Sequence, residues 1–393
     1  MRLSPRRPVV VAAVLTVLLP GLAGAAATPE PPAAPLRMAV QGGITGQYLV
    51  ILRRDTDPNS VLRSVAARPM FTYTSALVGF AARLSDEQVS RLRAVPGVEA
   101  VEQDARIAVP RPAPQEAAAA AEVSWGLARI GSRARDGAAF SVRATGATVA
   151  SYVIDTGIDF GHEQFGGRAV AGFDAVEDGR DGADCNGHGT HVAGTVGGAT
   201  TGVARAVKLV SVRVLGCEGS GSVAMLVAGM NWVAAHAVKP AVANLSTGGA
   251  RSETADRAVE GLAAAGVFPV VAAGNSDEDA CGASPAGAPG AFTVAATDES
   301  DRKASFSNWG GCVDISAPGT GITSAAMGGG LARMSGTSMA APHVTGVAAL
   351  YKDVYGDVST SFLASWLQAN ATPGVPVDAP AGTPRLLVYT SGL

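Results

Sequence analysis

The stretch from Lys208 to Ala272 decides the fold. It reads as Lys208–Leu215 (KLVSVRVL), Ser222–Ala237 (SVAMLVAGMNWVAAHA), Val242–Leu245 (VANL), Ser252–Ala265 (SETADRAVEGLAAA) and Val267–Ala272 (VFPVVA). Short β-branched runs alternate with longer apolar runs of helical length. That order predicts an α/β architecture, a doubly wound and mostly parallel sheet with helices on both faces. Working outward, Thr148–Ile154 adds a strand, His188–Val196 a helix, and Met339–Tyr355 a final buried helix. In such sheets functional groups gather at the carboxyl ends of the strands.

Upstream the pattern differs. Arg2, Arg6 and Arg7 precede the apolar run Pro8–Leu19, and Ala23-Gly24-Ala25 follows. This is the charged, apolar, small-residue order of a secretory signal peptide, placed at 1–27. The apolar run, ~12 residues, is shorter than the ~20 that span a bilayer, so a secreted, extracellular protein with no stable membrane anchor is expected. Residues 28–45, rich in Pro and Ala, read as a linker. Residues 46–109 read as a small α+β unit of ferredoxin-like order β-α-β-β-α-β. Its strands are Gln47–Leu52, a pair within Phe71–Leu84, and Val98–Val109. Its helices are Pro58–Ala66 and Asp86–Ala94, the second capped by Ser85. Residues 110–122 hold three prolines and five consecutive alanines and read as an exposed linker open to proteolysis. The α/β domain occupies 123–393.

Composition narrows the function. Of 393 residues, 47% are hydrophobic and 16% charged, which excludes a disordered polyelectrolyte. The 49 glycines follow no G-X-Y period, so collagen is excluded. A net charge of −3 gives no basic field for nucleic acid. Residues 1–121 carry 13 basic and 9 acidic residues, whereas 122–393 carry 17 and 24. Two electrostatically different parts share the chain. Four cysteines, Cys185, Cys217, Cys281 and Cys312, point to disulfides in an exported protein, with three connectivities open. The first two and the last two each close a loop worth roughly 3–4 kcal/mol. No C-x-x-C pair supports a zinc cluster.

Four segments carry chemistry. Val153-Ile154-Asp155-Thr156-Gly157 puts an acid at the end of a strand. Asn186-Gly187-His188-Gly189-Thr190-His191 puts a glycine-flanked histidine at the start of a helix, with His191 packed inside it. The H-E-x-x-H zinc pattern is absent. Val271–Ser276 delivers Asn275 into a Gly-rich turn, and Ser335–Val344 puts Ser338 at the opening of an apolar helix. Backbone N–H groups at such an opening can hold an oxyanion. Pro342 is read as tolerated because first-turn amides lack helical partners. Taken singly, these residues are ordinary turn and N-cap residues. Their joint order is not.

Together the four segments resemble the subtilisin-like serine proteases (subtilases), whose groups follow the order Asp, His, Ser. The nearer resemblance is to the proteinase K branch and its secreted aqualysin-like bacterial members, and it spans Gly46–Leu393. It implies a serine endopeptidase in which Ser338 is nucleophile, His188 general base and acid, Asp155 its orienter, and Asn275 an oxyanion donor. Gly219-Ser220-Gly221 and Ser246-Thr247-Gly248 resemble the two strands that clasp an extended peptide. Thr247 departs from the Leu common in relatives. Ala272, Ala273 and Gly274 imply an open S1 pocket, without charge at its base, for apolar or aromatic P1 residues. The resemblance also implies the pairs Cys185–Cys217 and Cys281–Cys312. It implies a structural calcium ion (Ca2+) held by the Pro289 and Ala291 carbonyls and the Asp314 carboxylate, with no catalytic cofactor. The segment 46–109 resembles the family's inhibitory propeptide, a folding aid whose positive charge suits an acidic enzyme. Cleavage is expected between about Arg111 and Val123. Polypeptide substrates and a monomeric enzyme follow, with no nucleic-acid partner. A non-catalytic relative is opposed by the complete triad, and an esterase or amidase by the two peptide-binding strands. A dinucleotide enzyme is opposed by the lack of G-x-G-x-x-G.

Overall fold

Alternating β-branched and amphipathic segments fold as their periods dictate. The computed structural model describes residues 8–14, 33–109, 116–118, 124–135 and 139–393. Two units are distinguished, Met1–Pro32 and Ala33–Leu393. The expected signal peptide lies outside the described residues except for 8–14, an exposed stretch without regular structure.

The second unit begins with β1 (Gly43–Leu52), α1 (Pro58–Ser64), β2 (Pro69–Tyr73), β3 (Gly79–Arg83), α2 (Asp86–Arg93) and β4 (Val98–Ala108). The strands pair antiparallel in the order β4-β1-β3-β2. Asp57 caps α1, and Ser85 and Gln88 close a reciprocal capping box on α2. The expected 28–45 linker is structured in its second half. Leu36–Arg37 pairs with β4, and β1 already begins at Gly43. One face of this sheet buries Val50, Phe80 and Val101 against Val61, Leu62, Val89 and Leu92 of the two helices.

Next come α3 (Trp125–Gly131), β5 (Ala150–Asp155), β6 (Ala169–Asp174), α4 (His188–Gly197), β7 (Lys208–Arg213), α5 (Val223–His236) and β8 (Ala241–Leu245). They are followed by α6 (Glu253–Ala264), β9 (Phe268–Ala272), β10 (Phe292–Thr297), β11 (Ile315–Pro318), α7 (Thr337–Tyr355) and α8 (Thr360–Asn370). Seven strands lie parallel in the order β6-β7-β5-β8-β9-β10-β11. Successive side chains of β5 face opposite ways. Val153 joins the core of α4 and α7, whereas Tyr152 and Ile154 join that of α5 and α6. Leu49, Tyr73, Ala81 and Ile107 of the small sheet enter the α5–α6 core, so that sheet sits on these two helices. The chain leaves β5 on one side for β6 and β7 and returns on the other as β8. That reversal opens a crevice at the carboxyl ends of β5 and β8.

Two expectations about the last helices need correction. α7 begins at Thr337 with Gly336 as N-cap, so Ser338 is the second helical residue rather than a cap, and α8 follows it. Pro342 lies beyond the first turn and withholds the N–H that would meet the Ser338 carbonyl. Of the expected 110–122 linker, only 116–118 is described. It pairs with residues 331–333.

Candidate active site

Asp155 ends β5 and is fully buried. Its Oδ1 accepts the Thr156 N–H at 2.7 Å and faces His188 Nδ1 at 2.8 Å. A carboxylate on Nδ1 leaves Nε2 of the neutral ring as an acceptor. His188 opens α4, which approaches β5 through glycine: a Cβ on Gly189 would stand 2.2 Å from the Gly157 carbonyl oxygen. Asp184, which the motif reading passed over, shapes this corner. Its carboxylate accepts the N–H groups of Asn186, Gly187 and Thr190 and the hydroxyls of Thr156 and Thr190. Its only sequence signal is an Asx-type spacing just before His188. His191 is buried as expected, with Nε2 against the Ile322 and Ala332 carbonyls. Burial pushes its pKa down to about 3.

Ser338 is buried at the base of the crevice, and its Oγ donates to the Ser246 carbonyl at 3.1 Å. The return bond runs from Ser246 Oγ to the Ser338 carbonyl at 3.0 Å, taking the acceptor that Pro342 leaves free. Asn244 Nδ2 donates to Ser246 Oγ (2.8 Å), and Thr345 Oγ1 donates to Asn244 Oδ1 (2.9 Å). A buried polar chain thus runs from the middle of α7 through β8 to Ser338. Neither Asn244 nor Thr345 stood out in sequence.

Asn275 Oδ1 accepts both the N–H and the Oγ1–H of Thr337, which leaves Nδ2 as the free donor. A Cβ on Gly336 would lie 3.3 Å from Asn275 Nδ2 and 3.6 Å from the Ser338 nitrogen. Both donors therefore converge on space that glycine keeps open. As a second helical residue, Ser338 has no intrahelical acceptor for its N–H. Two such donors can hold an oxyanion.

Both expected peptide-binding edges are engaged by the chain's own β4. Ser220–Ser222 pairs antiparallel with Arg106–Ala108, and Val109 N–H donates to the Gly219 carbonyl at 2.9 Å. On the other side Ala108 bridges to Gly248. Beside this segment lies a cavity of about 820 Å³ lined by Ser246, Thr247, Ala272, Ala273, Gly274, Asn275 and Ser338. The Thr247 hydroxyl is buried without a hydrogen-bond partner, so the rim carries an unused polar group. Arg251, Glu278 and Asp279, all exposed, also line the cavity.

The disulfides Cys185–Cys217 and Cys281–Cys312 form. The first ties the His188 loop to the 219–221 edge. Asp314 is half-buried just before β11, and its Oδ2 accepts the Thr293 N–H at 2.8 Å. Burial pushes its pKa up to about 6, with no cationic side chain beside it among the described residues. Gln368 Nε2 reaches its Oδ1 at 3.3 Å, and a desolvated carboxylate is an oxygen ligand of the kind calcium takes.

A buried acid–imidazole pair, a serine at a helix start and two converging N–H donors, set beside two edges that hold the chain's own residues 106–109, are the parts of a serine hydrolase. Residues 144–387 match the subtilase family (peptidase S8), and residues 48–109 match the peptidase inhibitor I9 family. The chain belongs to the subtilase family of serine proteases and carries an I9 propeptide domain. It is 43% identical over 414 residues to an extracellular serine proteinase of Thermus sp. (strain Rt41A), covering 96% of this chain and 98% of that one. It is 45% identical over 336 residues to alkaline serine exoprotease A of Vibrio alginolyticus, covering 85% of this chain and 62% of that protein's length. The crystal structure of a cold-adapted subtilisin-like serine proteinase superposes with a TM-score of 0.67 at 48% identity, covering 68% of this chain and 98% of that one. Among the described residues, no helix is long and apolar enough to cross a membrane.

Proposed function

We propose that this chain is a secreted serine endopeptidase, made as a precursor that cuts itself and prefers apolar or aromatic P1 residues. The observation that carries the reading is the seating of Arg106–Val109 as an extended peptide between the 219–221 and 246–248 edges, beside the Asp155–His188 pair. In a substrate so placed, Ser338 Oγ attacks the scissile carbonyl carbon while His188 Nε2 takes its proton. The carbonyl oxygen becomes an oxyanion held by Asn275 Nδ2 and the Ser338 N–H. Collapse breaks the C–N bond as His188 returns the proton to the leaving amine, leaving an ester on Ser338. Water then repeats the sequence and releases the acid. Asp155 holds the ring in one tautomer and stabilises its charged form.

The resting bond from Ser338 Oγ to the Ser246 carbonyl gives way when the hydroxyl turns to His188. Ala272, Ala273 and Gly274 supply the apolar wall of S1. The small domain, gripping α5 and α6 and filling the cleft, acts as an intramolecular inhibitor. Its β4 seats Ala108 and Val109 between the two edges, and Ala108 shares the cavity with Ser338, so processing is expected past Val109, within or just before the 111–123 range read from sequence. Pro289, Ala291 and Asp314 would hold a structural calcium ion, which neutralises the Asp314 carboxylate when bound. The test is hydrolysis of casein and of an apolar-P1 peptide by the expressed chain and its Ser338→Ala variant. Loss in the variant is expected, and equal hydrolysis by both proteins would remove the mechanism.

A further inference from the structure

Before it enters the cleft, β4 crosses the amino ends of α5 and α6, and three of its acids are received there. Glu102 accepts from Ser252 Oγ, from Thr254 N–H at 3.1 Å and from Thr254 Oγ1 at 2.9 Å, at the start of α6. Asp104 Oδ1 accepts the Ala224 N–H at 3.1 Å, at the start of α5. Glu99 pairs with Arg257 on α6. Glu102 and Asp104 are both buried.

These donors are surplus to the helices themselves. α5 and α6 already have caps of their own, Ser222 on Met225 N–H and Ser252 on Ala255 N–H. The Ala224 and Thr254 N–H groups are additional first-turn donors, pointing out of the enzyme at positively polarised helix ends. When β4 leaves, they and Arg257 remain, in line with the peptide edges and on the side from which a substrate's amino-terminal part approaches. Asp256 and Glu260 oppose added negative charge there, whereas Arg251 and Arg257 offset them.

We propose that this track is a remote recognition site of the freed enzyme, selecting extended polypeptide substrates with two carboxylate side chains, in the pattern Glu-x-Asp, where Glu102 and Asp104 now lie. The proposal rests on the peptidase reading and names a substrate class for it. Asp104 and Glu102 stand five and seven residues before Val109, so only substrates extending well upstream of the cut reach the site. Short peptides do not report it.

The test uses active enzyme recovered from the expressed full chain and three fluorogenic peptides. One copies residues 98–113, the second carries Gln and Asn in place of Glu102 and Asp104, and the third has only four residues before the cut. The acidic peptide should show a KM about tenfold below that of its amide counterpart, with kcat little changed, the size expected of charge-assisted bonds to helix ends. Thr254→Val in the enzyme should shrink that ratio. Equal KM values for the two long peptides, both being cut, overturn the site and leave the peptidase reading standing. Failure to cut any of the three removes that reading and the site with it.

Discussion

Asn244 joins Thr345, 101 residues away along the chain, to Ser246, and through Ser246 to the Ser338 carbonyl. Because Pro342 removes a helical donor from that carbonyl, the first turn of α7 is held partly from β8. Asn244→Ala would leave Ser246 Oγ without its donor in a buried site, at a cost of about 1–3 kcal/mol, whereas Thr345 Oγ1 would still reach the Ala341 carbonyl at 3.2 Å. Displacing the nucleophile should lower kcat about tenfold or more with KM nearly unchanged. A fall in melting temperature with kcat intact would reduce Asn244 to a structural role. Asn275→Ala removes one of two converging donors. A single such amide in a subtilisin is worth about 10²–10³ in kcat. That loss should appear in kcat with little change in KM, and a loss confined to KM would argue against an oxyanion role. Asp155, His188, Asn275 and Ser338 could be put forward from sequence because each lies within two residues of a glycine at a strand or helix end. Asn244, Thr345 and Asp184 were not, because their partners are set by sheet order and close helix approach, which no local pattern encodes.

At the scale of elements, the alternation of strand and helix from Lys208 to Ala272 was legible from period and length, whereas three strands of the same sheet, β6, β10 and β11, and the helices α3 and α8 were not, since short runs between turns carry little periodicity. Ser338 was placed at the very start of α7, because the glycines before it look like loop. In the fold Gly336 caps the helix and Ser338 moves inside. The Leu36–Arg37 pairing escaped notice because two residues carry no periodicity. The segment joining β10 to β11 places Asp314, whose burial lifts its pKa from an ordinary 3.8 to about 6. A carboxyl raised on folding contributes stability below its unfolded value and loses it as pH climbs through the folded one. Without a cation, ionised Asp314 therefore opposes the fold above about pH 6. Calcium reverses that by favouring the ionised form, and protons compete with it below pH 6. Melting temperatures with calcium and with chelator should thus differ clearly near pH 8 and much less near pH 5. No difference at the higher pH, or an equal one at both, would remove the calcium site.

Across the whole molecule, the charge arithmetic divided the chain in two but misdescribed the contact. Residues 33–109 carry nine arginines against seven acidic residues, which read as a basic cover for an acidic enzyme. Yet its acids Glu99, Glu102 and Asp104 bind helix ends and Arg257, Tyr73 and the 74–76 N–H groups add neutral bonds to the Ala224 carbonyl and Asn231, and among the described residues one ion pair, Arg37 to Glu253, has the opposite sense. Net charge averages over a surface, whereas the grip depends on a few oriented N–H groups. Apolar contact through Leu49, Tyr73 and Ile107 and the clasp on residues 106–109 complete it. On the proposed function, the same clasp would set up the first cut. A chain held on both edges up to Val109 presents the next peptide bonds to Ser338 without diffusion, so cleavage should be intramolecular and its rate independent of protein concentration. Expressed wild-type chain should separate into two fragments, the larger beginning just past Val109 or, after later trimming, nearer Val123. Ser338→Ala should stay whole. Amino-terminal sequencing of the larger fragment over time distinguishes the two starts, and a rate that rises in proportion to concentration would show that one molecule cuts another.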